Sequence, residues 1–275
     1  MTKPLTPPEY VLARRVLLDA LDALSAHVDA MILVGAQAVY MHTGDGDLAT
    51  APTTTDADLA LAPERLASKP LIEEALAAAC FAPGANPGTW HGSGGVAIDL
   101  MVPEALSGPG GRRGARLPVH GNRVARRTTG LEAAIVDNDR MQIRSFESAD
   151  DRIHELRVAG PAALLIAKLV KINERLDQPS RIKPKDALDV LRLLQTADDT
   201  ALGRRLVELS DDPLAADVTR ASVEILRRRG GRTDAELPRL AAQAVGVLAD
   251  ADTIRASMAV LTEELVIAYD RAAAG

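Results

Sequence analysis

Apolar residues recur at spacings of three and four along the first stretch of the chain. Leu17, Leu21, Leu24 and Val28 share one stripe, which predicts a helix over residues 8–28. "AMILV" (30–34) is a short, continuous apolar run of the kind a buried strand shows, and it stops at Gly35. "AQAVYMH" (36–42) predicts the start of a second helix, and a polar, glycine-rich stretch, "TGDGDLATAPTT", follows it. "TTTDADLAL" (53–61) then predicts a strand over about residues 55–61, ended by Pro63. "PLIEEALAAACF" (70–81) has helical spacing, and "GTWHGSGGVAIDLMVP" (88–103) predicts a hairpin turning at Gly94-Gly95. Residues 107–115, "SGPGGRRGA", predict a loop. "LEAAIVDNDRMQIRSF" (131–146) predicts another hairpin with Asp137–Asp139 at its turn, and "IHELRVAG" (153–160) a last short strand.

Strand patterns end at Gly160. Pro161 suits a first helical position, and helical spacing runs from there to the end of the chain. The expectation is therefore an α+β fold. Residues 1–160 form a mixed sheet flanked by helices, and residues 161–275 form an all-helical C-terminal part. A chain of 275 residues, 47% hydrophobic but only 2% aromatic, buries a core that is mostly aliphatic. A net charge of −6 argues against general DNA coating and leaves room for a local basic patch. Cys80 is the only cysteine, which excludes an intrachain disulfide and a zinc site built on thiolates. No apolar run approaches the ~18 residues of a membrane span, so the default expectation is a cytoplasmic protein.

Asp56 and Asp58 change this picture. In a strand, residues i and i+2 point to the same face, so the two carboxylates project together while Ala57 and Leu59 face the other way. Paired carboxylates disfavour each other's ionisation unless a cation lies between them, and Mg2+ takes one or two carboxylates with phosphate and water oxygens. Asp99, within the apolar strand "VAIDLMV", is a third candidate if its strand lies beside the first. Three such carboxylates suit two-metal phosphoryl chemistry, with Asp99 as metal ligand or proton acceptor. A D-x-D pair alone also fits a turn, a cap or a solvated strand end. Asp45 and Asp47 repeat the spacing inside the glycine-rich stretch and read as solvated turn residues.

The order "LVGAQAVYMH…TTTDADLAL…VAIDLMV" resembles the nucleotidyltransferase fold of the DNA polymerase beta superfamily, and in particular the AbiEii and MenT-type toxins of type IV toxin–antitoxin systems. The resemblance implies that Gly35 opens a helix whose first N–H groups, with Ala36 and Gln37, cradle a triphosphate. It implies Mg2+ on Asp56, Asp58 and Asp99, an NTP substrate, transfer of NMP to a hydroxyl, and for toxin relatives a tRNA acceptor and a cognate antitoxin partner. Ala36 and Gln37 stand where the family motif carries a second glycine and often a serine, and the segment from Gly35 to Asp56 is longer than usual.

Lys168 lies on the apolar stripe of Leu164, Leu165, Leu169, Ile172 and Leu176. Two readings fit it: a packed stem with its ammonium at the edge, or a point charge aimed at a phosphate. Asp186 and Asp189, three apart in "KDALD", share a helix face. The resemblance, which covers about residues 30–195, implies that Lys168 binds nucleotide phosphate and that Asp186 positions Lys168 or the substrate. "RRGARLPVHGNRVARR" (112–127) holds six arginines and no acid, which fits an arm for RNA phosphates and equally a solvated loop. His42, His91, His120 and His154 show no ligand spacing. Two further readings stay open: transfer to a small cationic acceptor of aminoglycoside type, which an acidic surface favours, and a non-catalytic nucleotide-binding or interaction module.

Overall fold

A computed structural model describes residues 6–44, 53–108 and 113–275 of the chain. Asp45 and Asp47, and residues 109–112 of the predicted loop, lie outside the described residues. The described residues of Met1–Ala38 and Ala51–Ala159 form one compact unit, and those of Val39–Thr50 and Gly160–Gly275 form a second.

The first unit contains α1 (Pro8–Ala23), β1 (Met31–Val34), the first turn of α2 (Gly35–Thr43), β2 (Asp56–Leu61), α3 (Ile72–Ala78), β3 (Ala82–Pro83), β4 (Thr89–His91), β5 (Ala97–Pro103), β6 (Arg126–Thr128), α4 (Glu132–Val136), β7 (Asn138–Arg144) and β8 (Ile153–Ala159). Its mixed sheet has the order β3-β4-β5-β2-β1-β8-β7, with β6 also paired to β5. β1 is antiparallel to β2 and parallel to β8, and β2 is parallel to β5. All four residues of β1 are buried, as its uninterrupted apolar run requires of a strand covered on both faces. α1 packs on β2 and β5 through a stripe that includes Val16, Leu17 and Leu21. Trp90 is buried in the β4–β5 hairpin, where its indole N–H donates to the Val124 carbonyl.

Two predicted elements differ. The first helix ends at Ala23, because Leu24 leaves helical geometry, and residues 25–30 continue as a tighter turn that still buries Leu24. The predicted hairpin over 131–146 is instead a short helix followed by a strand. Glu132 is buried and its carboxylate accepts from the N–H groups of Gly130 and Ala105, which fixes the start of α4. Asn138 donates to the Ala134 and Ile135 carbonyls and closes the helix. Asp137–Asp139 thus mark a helix-to-strand junction. The hairpin is β7 with β8, in register from Asn138↔Ala159 to Arg144↔Ile153.

The second unit is all helical: α5 (Pro161–Asn173), α6 (Pro184–Thr196), α7 (Asp199–Asp211), α8 (Ala216–Arg229), α9 (Glu236–Val245) and α10 (Ala251–Ala274). Proline starts α5 and α6, where its missing N–H is harmless. Asp198 and Asp250 cap α7 and α10 by accepting from the N–H groups of Ala201 and Thr253. Arg227–Arg229 end α8, followed by Gly230 at the cap. α7 and α10 approach closely at Gly203, where a Cβ would fall 2.8 Å from the Ala268 backbone. Tyr40, from the end of α2, belongs to this unit and lies under the guanidinium of Arg192 at 5.5 Å and the ammonium of Lys185 at 5.9 Å. No helix among the described residues is long and apolar enough to cross a membrane.

Candidate active site

The sheet of the first unit brings the predicted carboxylates to one face. β2 and β5 run parallel with Asp58 opposite Asp99 and Asp56 opposite Ala97. Paired residues of adjacent strands share a face, and so do residues two apart on one strand. Asp56, Asp58 and Asp99 therefore lie on the same side of the sheet, each half-buried between fully buried neighbours such as Ala57, Leu59, Ile98 and Leu100. Thr54 donates its hydroxyl to Asp56 Oδ1 at 2.7 Å.

Asp99 is held from two sides. Thr89, opposite it on β4, donates its hydroxyl to Oδ1 at 2.7 Å. Arg126 reaches Oδ2 with Nη2 at 3.1 Å and also contacts Met101 Sδ at 3.0 Å. Among the described residues, no three His, Cys, Asp or Glu side chains gather closely enough to ligate one ion. The donor set fits Mg2+ in a narrower form. Asp56 and Asp58 would supply two carboxylates to such an ion, and phosphate and water oxygens would complete the usual shell.

Gly35 sits where β1 hands over to α2, directly after Val34, which pairs with Asp58. Its φ is +72°, and a Cβ there would fall 2.2 Å from Asp58 Oδ2. Only glycine allows both the left-handed backbone and the carboxylate packed against it. Asp58 is thus opposite Asp99 in the strand register and packed against the start of α2.

Ala36 and Gln37 were expected at the phosphate. Both are buried, Gln37 to 1% exposure. The Gln37 carboxamide is engaged at both ends: Oε1 accepts from Arg14 Nε at 2.9 Å, and Nε2 donates to the Asp56 carbonyl at 3.1 Å. It is a strut between α1 and the strand that carries the acids. Arg14 is itself buried and also donates to the Arg144 carbonyl and the Tyr10 hydroxyl, with Phe146 stacked at 4.5 Å. Burial draws its pKa down from the ordinary value, against the opposing influence of Tyr10.

In the second unit, α5 and α6 bring Lys168, Asp186 and Asp189 together. The Lys168 ammonium lies 3.0 Å from Asp186 Oδ1 and 2.6 Å from Asp189 Oδ2, with all three side chains buried. Lys171 and Arg175 reach Asp186 from the rim at 3.1 and 3.3 Å. Burial alone would lower the Lys168 pKa, but Asp189 and Asp186 outweigh it and hold the lysine above its ordinary value. Burial likewise works to raise Asp186, but Lys168 and Lys171 prevail and bring it down to about 2. Two of the three N–H donors of the Lys168 ammonium are taken by these carboxylates.

Sequence reasoning missed Arg14, Thr89 and the particular role of Arg126. The i, i+3 spacing of Asp186 and Asp189 was a legible signal, whereas the cross-strand partners of Asp99 follow from register alone. The histidines take structural partners: His120 bonds Ala67 O and Ile72 N, His91 bonds Gly95 O, and His154 lies 3.1 Å from Asp22.

No protein-family model matches the chain, and no curated protein matches it. Among solved structures, the chain is similar to an antigenic nucleotidyltransferase-like protein from Paracoccidioides brasiliensis, with 16% sequence identity and a TM-score of 0.40, over 80% of this chain and 95% of that chain. A likeness at this level carries no functional information.

Proposed function

We propose that the chain is a Mg2+-dependent nucleotidyltransferase that moves NMP from an NTP to a hydroxyl acceptor. The observation that carries this reading is the β2–β5 register, which sets Asp58 opposite Asp99 with Asp56 on the same face. The contact of Asp58 with Gly35 at the opening of α2 supports it. In this reading Asp56 and Asp58 hold the metal, which supplies charge stabilisation for the triphosphate. The first N–H groups of α2, freed by the left-handed Gly35, face phosphate oxygens. Asp99 takes the proton of the acceptor hydroxyl. The acceptor oxygen forms a bond to the α-phosphorus, the bridge to the β-phosphate breaks, and pyrophosphate leaves with the electron pair. Gln37 and Arg14 keep β2 in place beneath the reacting groups.

A tRNA acceptor and an antitoxin partner belong to the same proposal and rest on the sequence resemblance. The test incubates the chain with each α-labelled NTP, Mg2+ and total tRNA, beside Asp58→Ala. Label on tRNA, lost in the variant, is the expected result. Label on the protein or on a small cationic acceptor replaces the acceptor and keeps the chemistry. Absence of transfer to any acceptor, or equal transfer by Asp58→Ala, overturns the reading.

A further inference from the structure

The carboxylate face already contains a cation. β6 runs parallel to β5 with Met101 opposite Arg126, which puts Arg126 on the same side of the sheet as Asp99, two residues before Met101. Arg127, next along β6, takes Glu104 at 2.6 Å instead. Arg126 is thereby committed to the acidic face by strand register. Its Nη2 lies 3.1 Å from Asp99 Oδ2, and its Nε is buried without a partner among the described residues. The Arg126 side chain keeps 37% exposure, so what ties its guanidinium to the acidic face is strand register and the contact with Asp99, which is the more buried partner at 19%. On the other side, Thr89 occupies Asp99 Oδ1. Both oxygens of Asp99 are therefore engaged by donors of the chain itself. A second dication beside Asp99 would meet the guanidinium's like charge and compete with it for the same oxygen.

We propose that Arg126 is the resident counter-cation of Asp99 and takes the place of a second metal ion, so that this face loads one divalent ion, on Asp56 and Asp58. This rests on the metal-dependent reading above. It narrows the chemistry: Asp99 stays off the metal and remains the proton acceptor, and Arg126 positions it.

Mn2+ binding to the full chain, followed by electron paramagnetic resonance of the free ion, tests this without any turnover. The expected count is one Mn2+ for the wild type, one for Arg126→Lys and two for Arg126→Met. The double variant Arg126→Met with Asp99→Asn returns to one. Asp99→Asn alone keeps one Mn2+ at unchanged affinity, a measurement that stands even if Arg126→Met does not fold. Asp58→Asn loses the ion. Two ions on the wild type, one on a folded Arg126→Met, or loss of Mn2+ from Asp99→Asn overturns the proposal while leaving the metal centre in place. No Mn2+ on the wild type overturns the proposal and the metal reading together.

Discussion

Gly35 is the residue on which the acidic face depends most directly. A methyl group there meets Asp58 Oδ2 at 2.2 Å and forces a side chain into φ +72°. Gly35→Ala is expected to lose at least about 1 kcal/mol in urea unfolding and to displace Asp58. Unchanged stability together with unchanged Mn2+ affinity would contradict the geometry. Lys168 and its two carboxylates make a second residue-level statement. Removing one partner of a buried ion cluster leaves charge without compensation, so Lys168→Met is expected to destabilise by about 3–5 kcal/mol. The pH dependence follows from Asp186, whose pKa in the folded chain is lowered to about 2. Its stabilisation, about 2 kcal/mol, is complete above the unfolded carboxylate value near 4 and is lost as pH falls toward 2. The stability gap between wild type and Asp186→Asn should therefore narrow between pH 5 and pH 3. A gap that stays constant or widens on acidification would refute this. These residues were legible to different degrees. Asp56, Asp58 and Asp99 announced themselves as charges inside apolar strands. Lys168 announced only its anomaly on an apolar stripe, because the choice of two buried aspartates as its partners depends on how α5 and α6 pack.

Elements set what the residues can do, and here the strut from α1 to β2 matters most. Gln37 joins buried Arg14 to the Asp56 carbonyl. Gln37→Leu leaves a buried guanidinium donor and a strand carbonyl without their partner, an expected loss of about 1–3 kcal/mol by chemical denaturation. The turn after α1 offers a pH test of its own. His27 is buried, bonds the Pro70 carbonyl and lies against His120. Burial first, and His120 second, lower its pKa against the opposing influence of the Pro70 bond. The unfolded chain then binds the proton more readily, so stability falls as pH drops through about 6.5. His27→Gln should flatten that slope between pH 7 and pH 5, and an identical slope in the variant would count against a neutral buried His27. β1 was readable in the sequence because burial on both faces leaves a continuous apolar run, and β2 and β5 because their half-buried aspartates stand among fully buried apolar neighbours. The 131–146 segment was not, because Asp137–Asp139 suit a turn equally well after a strand or after α4. The deciding contacts are long-range or specific: Glu132 accepts from Ala105, and Asn138 closes the helix.

At the scale of the molecule, the end of strand patterning at Gly160 reads directly as the start of an all-helical part. The return of residues 39–44 to that helical unit does not, since it depends on Tyr40 meeting Arg192 and Lys185. Net charge and composition bound the class of protein and say nothing of the reaction. The claim that unites sequence and structure is nucleotidyl transfer on the Asp56–Asp58–Asp99 face, and the position of the label in the NTP tests it most directly. With α-labelled NTP and Mg2+, the account predicts label retained on the acceptor. With γ-labelled NTP it predicts label only in released pyrophosphate, and Asp58→Asn should slow both by about 100-fold or more. Transfer of the γ-label to the acceptor, or an Asp58→Asn chain as active as the wild type, would contradict it.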